Sequence, residues 1–386
     1  MTDHTDHTDH TEKPRMTTAT ASKDRQRNAG ASSTLPDDTL LGWLHDMALI
    51  REFEIRTMQA YANAQIGGFC HVYNGQEAVV VGTFAATIKD DPIITAYRDH
   101  GHALARGMDP KACMAEMFGK ITGCAKGKGG SMHMFDRPNN LFGGHGIVSA
   151  QTPLGAGLAF ATKYENEVLG QGEKRITLCY LGDGALNQGA LHEAMNLAGI
   201  LSLPVIYIVE NNGYSMGTAI HRGTTMADKL EAKAAAYGIE SLTIKDGMDV
   251  CAIYDKFKPF ADACRRDQRP GFVDLQTYRY QGHSMSDPQK YRTKEEVGAY
   301  QEKDPIETLK RQLIDDRACL TEEDFKGMIK EIRVTVREAV KFAEQSPAPD
   351  PRTELYSDVF TDPLPNSSPS GPYLHGETNH LLRGDA

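Results

Sequence analysis

The sequence predicts a doubly wound α/β fold, a mostly parallel sheet flanked by helices, and three features carry that prediction. Two apolar runs, residues 176–181 and 204–209, are joined by a helix-like segment of ordinary βαβ length. Other strand-like and helix-like segments alternate on both sides of this unit. Each run also ends in a turn, Gly182-Asp183-Gly184-Ala185 and Glu210-Asn211-Asn212-Gly213, at the strand end where open parallel sheets bind ligands.

Taken in order, residues 36–65 have helical periodicity in Leu40, Leu44, Met47, Ile50 and Phe53, and Pro36-Asp37-Asp38 suits a helix start. Residues 76–88, rich in Ala and Val, form a second helix, and 92–96 a short strand running into Tyr97-Arg98-Asp99-His100. Residues 119–146 are too dense in glycine for a regular element and read as a long functional loop. A helix at 153–164 carries small residues, Gly155, Gly157 and Ala161 among them, suited to close packing. Beyond the central unit, 228–237 and 250–265 are helices, 271–280 a strand and 282–288 a polar loop. Two charged amphipathic helices, 305–316 and 321–345, end the ordered part.

At 386 residues the chain can bury a large core. It divides into a His/Asp/Thr-rich tail at 1–35, an ordered body at 36–350 and a Pro/Ser/Gly-rich tail at 351–386. The head repeats Thr-Asp-His from residue 2 to 10; a His-rich tract can bind metal, but with nothing apolar to anchor it a solvated, disordered tail is expected. It has no apolar signal core, and its early Asp residues argue against a transit peptide. No stretch approaches the ~18 apolar residues of a membrane span, so a cytoplasmic protein is expected. A net charge of −10 gives no basic footprint for nucleic acid. The seven cysteines show no metal-ligand spacing and read as free thiols in a reducing compartment.

The two turns have the makings of a cation–diphosphate clamp. Glycines on either side of Asp183 let the backbone approach phosphate oxygens, and the free N–H groups of the next helix favour negative charge. Mg²⁺ takes octahedral oxygen coordination, commonly one or two protein oxygens with phosphate and water. Asp183 and the amide oxygen of Asn212 meet that demand, and the main chain of Tyr214 adds a third oxygen. Either turn alone would be ordinary; their βαβ spacing joins them.

Longer words narrow the reading: Gly68-Phe69-Cys70-His71, Tyr97-Arg98-Asp99-His100-Gly101, Gly127-Lys128-Gly129-Gly130-Ser131-Met132-His133-Met134, Gly143-Gly144-His145-Gly146-Ile147-Val148 and Gln281-Gly282-His283-Ser284-Met285-Ser286-Asp287-Pro288. With the two turns they resemble the alpha subunits of the pyruvate-decarboxylating dehydrogenases, a thiamine diphosphate-dependent family, over about residues 40–359. The resemblance implies a thiamine diphosphate-binding fold of the diphosphate-binding type, with extra N- and C-terminal helices. It implies that Asp183, Asn212 and the main chain of Tyr214 hold Mg²⁺ and that Gly184 and Ala185 contact the diphosphate. Tyr97 and Arg98 would face cofactor and substrate, and Gly146 and Val148 would support the bent cofactor. His71 and His283 would line the channel where the 2-oxo acid meets the cofactor. Ser284 stands where animal relatives are phosphorylated, but Lys290 and Ala219 replace two other such serines, which argues against kinase control. Ser149 replaces a common glycine with no change of chemistry expected.

The same resemblance implies oxidative decarboxylation of pyruvate and transfer of the acetyl group to a lipoyl group on an acyltransferase partner. Acetoin or a branched-chain 2-oxo acid is the alternative substrate. A non-catalytic scaffold subunit is the alternative of another class, opposed by the joint presence of Asp183, Asn212, His71 and His283. Thiamine enzymes also need a glutamate on the aminopyrimidine, carried by a second domain of which this chain has no copy. An alpha-two beta-two heterotetramer with a beta subunit is therefore expected.

Overall fold

The computed structural model describes residues 31–355 and 357–358. Six strands form one parallel sheet: β1 Ile93–Ala96, β2 Leu141–His145, β3 Thr177–Gly182, β4 Val205–Asn211, β7 Glu240–Ile244 and β8 Gly271–Gln276, in the order β2-β1-β3-β4-β8-β7. Between β4 and β7, β5 Tyr214–Ser215 and β6 Thr218–Ala219 pair as a small antiparallel hairpin. The helices are α1 Asp37–Ala62, α2 Glu77–Ala85, α3 His100–Ala105, α4 Pro110–Met117, α5 Gln151–Glu167, α6 Gly189–Leu201, α7 Ile220–Gly223, α8 Glu231–Ala235, α9 Val250–Asp267, α10 Lys294–Gln301, α11 Pro305–Arg311, α12 Glu322–Gln345 and α13 Pro351–Glu354.

Alternation along the central strands produces the double winding. Leu178, Tyr180, Ile206 and Ile208 face a core shared with α1, α2, α9 and α12. Cys179, Leu181, Val205, Tyr207 and Val209 face a second core under α5, α6 and α8. Both faces are covered, which is why the strands read as unbroken apolar runs. Gly155 lets α5 lie close to the sheet: a Cβ there would come within 2.9 Å of the Cys179 sulfur.

The order of elements agrees with the predicted doubly wound class, and four local readings are corrected. Residues 119–146 are not wholly irregular, because Leu141–His145 is an edge strand. Its glycines admit close neighbours: a Cβ on Gly144 would sit 1.9 Å from Asp99 Oδ2. Strand β7 escapes sequence patterning because, at the other edge, only Ile244 of its five residues is buried. Helix α3 is short and buried on every side from His100 to Leu104, so it shows no apolar stripe. The helix expected at 228–237 contracts to Glu231–Ala235.

The tail boundaries also move. Ala31–Thr34 is a 3₁₀ turn rather than part of a disordered head: Ser32 is buried and donates from its backbone and hydroxyl to Asp255 at 2.6 and 2.8 Å. Arg317 holds the carbonyls of Ser32, Ser33 and Leu35. At the other end α13 is capped by Asp350, and Glu354 and Asp358 pair with Lys126 and Lys128. The Thr-Asp-His repeats, and the C-terminal tail past residue 358, lie outside the described residues. Among the described residues no helix is long and apolar enough to cross a membrane.

Candidate active site

The site is assembled from the carboxyl ends of neighbouring strands. Strand β1 delivers Tyr97 and Arg98, β3 delivers Asp183, β4 delivers Asn212, and the chain after β8 delivers Arg279 and His283. From the neighbouring strands β1 and β3 the chain departs in opposite directions, to β2 on one side and to β4 on the other, and such a switch point opens a crevice at the strand ends.

Asp183 starts a 3₁₀ turn directly after β3. Its Oδ1 accepts from the Gly184 N–H at 2.9 Å, while Oδ2 is buried without a partner. Burial pushes its carboxyl up to about 6. Asn212 is oriented by donating from Nδ2 to Gln76 Oε1 at 3.0 Å, which turns Oδ1 the other way. That Oδ1 accepts weakly from Tyr214 N–H at 3.3 Å. Gly184 packs closely on Ser215: a Cβ there would lie 2.8 Å from the Ser215 Cβ, so the hairpin would have to shift. A cavity of about 150 Å³, lined by Asp183, Gly184, Asn187, Ser215 and Thr224, opens beside this turn. The larger groove, about 800 Å³ along α1, α11 and α12, holds none of the predicted site residues.

His71, Tyr97 and His283 meet as one aromatic cluster. Ring centroids lie 4.6 Å apart for His71–Tyr97, 5.1 Å for His71–His283 and 5.6 Å for Tyr97–His283. Burial, reinforced by Arg98, lowers His71 to about 2 and His283 to about 4, so both rings are neutral at pH 7. His71 Nδ1 is buried and unpaired. Arg98 is buried and donates to the carbonyls of Val72 at 2.6 Å and His283 at 2.8 Å, tying the two histidine segments together. Cys70 beside His71 is no nucleophile: burial pushes its thiol up to about 12. Gly146 backs onto the His133 ring, and Ile147 and Val148 project into solvent at the crevice rim. Ser149 has φ +69°, a left-handed conformation that glycine adopts at lower steric cost.

Three residues missed in the sequence prove central to this geometry. Arg279 donates from Nη1 to Tyr214 O at 3.2 Å and approaches Asn212 Oδ1 at 3.5 Å. Its Nη2 donates to Met216 O and to the Tyr291 hydroxyl, which donates to Asp287, the acceptor of the His283 N–H. Glu116, fully buried on α4, accepts from the N–H groups of Ala125, Gly127, Gly129 and Gly130 and so shapes the glycine-rich loop. Glu210 accepts from the Tyr73 hydroxyl beneath the clamp. A buried carboxylate three residues before a Gly-Tyr turn was the available signal for Glu210; Arg279 and Glu116 gave none, since only folding brings their partners close.

The donor set fits a hard cation. It comprises one carboxylate oxygen with an open valence, one amide oxygen and one carbonyl, matching magnesium's preference for few protein ligands. Among the described residues no group of three His, Cys, Asp or Glu side chains is placed to hold a metal instead.

Comparison with known proteins gives a concordant result. Residues 45–352 match the family described as the dehydrogenase E1 component. A protein of Rickettsia felis named pyruvate dehydrogenase E1 component subunit alpha is 49% identical over 315 residues, covering 82% of this chain and 94% of its own. A Rhizobium meliloti protein of the same name is 46% identical over 341 residues, covering 88% and 94%. The chloroplastic subunit alpha-3 of Arabidopsis thaliana is 39% identical, covering 88% and 79%. The chain therefore belongs to the dehydrogenase E1 component family of thiamine diphosphate-dependent oxidoreductases.

Proposed function

We propose that this chain is the alpha subunit of a pyruvate dehydrogenase. It would carry out the oxidative decarboxylation of pyruvate with thiamine diphosphate and Mg²⁺, passing the acetyl group to the lipoyl group of an acyltransferase. The observation that carries the reading is the open Oδ2 of Asp183 beside the oxygens of Asn212 and Tyr214, with the neutral His71–Tyr97–His283 cluster linked to it through Arg279.

When bound, the cofactor supplies the electron sink for loss of carbon dioxide. Asp183, Asn212 and the main chain of Tyr214 would hold its magnesium, and Gly184 and Ala185 its diphosphate. Gly146 and Val148 would support its bent middle. Tyr97 and Arg98 would face cofactor and substrate, Arg98 from a buried position where its guanidinium holds the carbonyls of Val72 and His283. Neutral imidazoles at His71 and His283 each offer one ring nitrogen as a hydrogen-bond acceptor and the other as a donor, so they would orient the substrate without adding charge.

A second chain is part of the proposal. Phe69 and Ile147 flank the site with 66% and 76% of their surface in solvent. Leu154, Phe160, Tyr164 and Val168 on α5, and Leu197 and Ile200 on the adjacent α6, are also exposed. So much exposed apolar surface beside a catalytic crevice supports an interface, and a beta subunit in an alpha-two beta-two heterotetramer would supply the glutamate for the aminopyrimidine. A cytoplasmic location agrees with this role.

The test is co-expression with the beta subunit and a substrate panel of pyruvate, acetoin and branched-chain 2-oxo acids, scored by lipoyl acylation. Pyruvate is expected to lead; preference for acetoin would reassign the substrate. Asp183→Ala is expected to abolish magnesium-dependent cofactor binding by calorimetry, and unchanged affinity would remove the clamp.

A further inference from the structure

Behind His71 lies a buried constellation that no part of the reaction above uses. Glu54 on α1, His100 at the start of α3 and Ser131 in the glycine-rich loop converge from three separate elements. The side chains of Glu54 and His100 are fully buried, and Ser131 is 3% exposed. His100 Nδ1 lies 3.0 and 2.9 Å from the two carboxylate oxygens of Glu54. Its Nε2 lies 2.9 Å from Ser131 Oγ and 3.0 Å from Ser131 O.

The bond order is that of a hydrolytic triad, but Ser131 is buried and its hydroxyl already accepts from a backbone N–H. A carboxylate and a carbonyl can only accept, so His100 donates from Nδ1 to Glu54 and from Nε2 to the Ser131 carbonyl when doubly protonated. Burial alone would lower its pKa, but the adjoining Glu54 carboxylate raises it. The outer ends of the relay carry the consequence. Glu54 Oε1 accepts from the Tyr73 N–H at 2.7 Å, and Ser131 Oγ accepts from the His71 N–H at 3.4 Å. These amides are two residues apart in the segment that joins α1 to α2. The carbonyls between and beside them are held from elsewhere, Val72 O by Arg98 at 2.6 Å and Cys70 O by the Met285 N–H at 2.9 Å.

We propose that His100 is a positioning residue for this enzyme: with Glu54 and Ser131 it forms a buried carboxylate–imidazole–hydroxyl relay that pins the main chain at His71 and Tyr73, and thereby sets the pose of the His71 ring against Tyr97 and His283. The inference rests on the assignment of His71 to the reaction. Misplacement of a reacting group by about 1 Å can cost about 10²-fold in rate, so the relay matters although it touches neither cofactor nor substrate.

The experiment is a double-mutant cycle in the enzyme assembled with its beta subunit. His100→Gln is expected to lower kcat by about 10–10²-fold, with KM for pyruvate and the calorimetric affinity for magnesium thiamine diphosphate changed less than about threefold. In a His71→Ala background the same substitution is expected to have no further effect, because the residue it positions is gone. Multiplicative losses in the double variant, or a loss that tracks cofactor affinity, would overturn the relay while leaving the site intact. Full activity of His71→Ala alone would instead remove the site assignment on which the relay rests. Should His100→Gln fail to accumulate as folded protein, Ser131→Ala enters the same cycle. Its loss is expected to be about fivefold, absent beside His71→Ala and restored by Ser131→Thr; a loss that persists beside His71→Ala would overturn the relay.

Discussion

Arg279 donates to the carbonyl oxygen of Tyr214 at 3.2 Å, and through that bond one guanidinium joins the cation seat to the loop of His283. The same side chain reaches Met216 O at 2.8 Å and the Tyr291 hydroxyl at 2.7 Å, and Tyr291 holds Asp287, which accepts from the His283 N–H at 2.6 Å. Four bonds thus separate the oxygen expected to meet magnesium from the backbone of a histidine expected to meet substrate. Replacing Arg279 with Met keeps an apolar stem but removes every donor, so the half-buried Tyr214 and the exposed Met216 lose the guanidinium that holds their carbonyls. Arg279→Met is expected to weaken magnesium-dependent cofactor affinity about tenfold in calorimetry and to speed proteolysis within residues 282–291. Wild-type behaviour in both assays would show the two regions to be independent.

The legible parts of this molecule are those where one strand and its turn carry the information. Asp183 and Asn212 stand out because each follows a long apolar run, and that run is buried on both faces in the sheet. His71 and His283 lay in quotable words, yet only the fold brings them to 5.1 Å across 212 residues of sequence. Arg279 and Glu116 were illegible for a different reason. Each binds backbone groups, which any residue presents, so the sequence carries no mark of the partner. Strand β2 was hidden by its own glycines, needed for the approach of Asp99 and Phe135.

His102 gives the fold a weakness in acid. It is fully buried, ringed by Tyr180 at 4.5 Å, Tyr73 at 5.2 Å and Phe84 at 6.2 Å, and neither ring nitrogen has a hydrogen-bond partner. Burial lowers its pKa to about 3. The unfolded chain takes up this proton near pH 6.5 and the folded chain does not, so stability is complete above 6.5 and declines as pH falls toward 3, by about 1.4 kcal/mol per unit. Glu210, 3.7 Å away and raised to about 7 by burial, has the opposite trend, common to wild type and variant. Denaturation of wild type and His102→Leu at pH 7.5, 6.5 and 5.5 isolates the histidine. The wild type is expected to lose ground to the variant only below 6.5, and a gap independent of pH would contradict this.

Glu116 predicts how the glycine-rich loop fails. Its Oε2 accepts from Ala125 and Gly127 at 2.7 and 2.9 Å, and its Oε1 from Gly129 and Gly130 at 2.7 and 3.1 Å. The turn has no slack, since a Cβ on Gly127 would lie 2.4 Å from the Gly119 carbonyl carbon. Glu116→Gln turns one acceptor oxygen into a donor and orphans two N–H groups, at a cost of about 2–6 kcal/mol. Trypsin is expected to cut at Lys126 and Lys128 at least about tenfold faster in the variant. Equal cleavage rates would mean that the loop is held by its other contacts.

The exposed face of α5 and α6 should decide whether the chain assembles. Along α5, Leu154, Phe160 and Tyr164 leave the helix on the side away from Ala156, Ala159 and the sheet, and Phe160 stacks on Tyr164 at 6.2 Å. On the neighbouring α6, Ile200 is 70% exposed. Full burial of such a side chain in an interface yields about 1.5–3 kcal/mol, whereas a carboxylate there meets desolvation without a partner. Neither Phe160 nor Ile200 supports the core, so aspartate at these positions should leave the fold of the isolated chain unchanged. Phe160→Asp together with Ile200→Asp is therefore expected to weaken co-purification with a beta subunit by at least about 10²-fold. Sedimentation velocity would report free alpha chain, and thermal denaturation an unaltered melting temperature. An intact heteromer carrying both substitutions would place the beta subunit on another face, and the apolar surface of α5 and α6 would then need a different occupant.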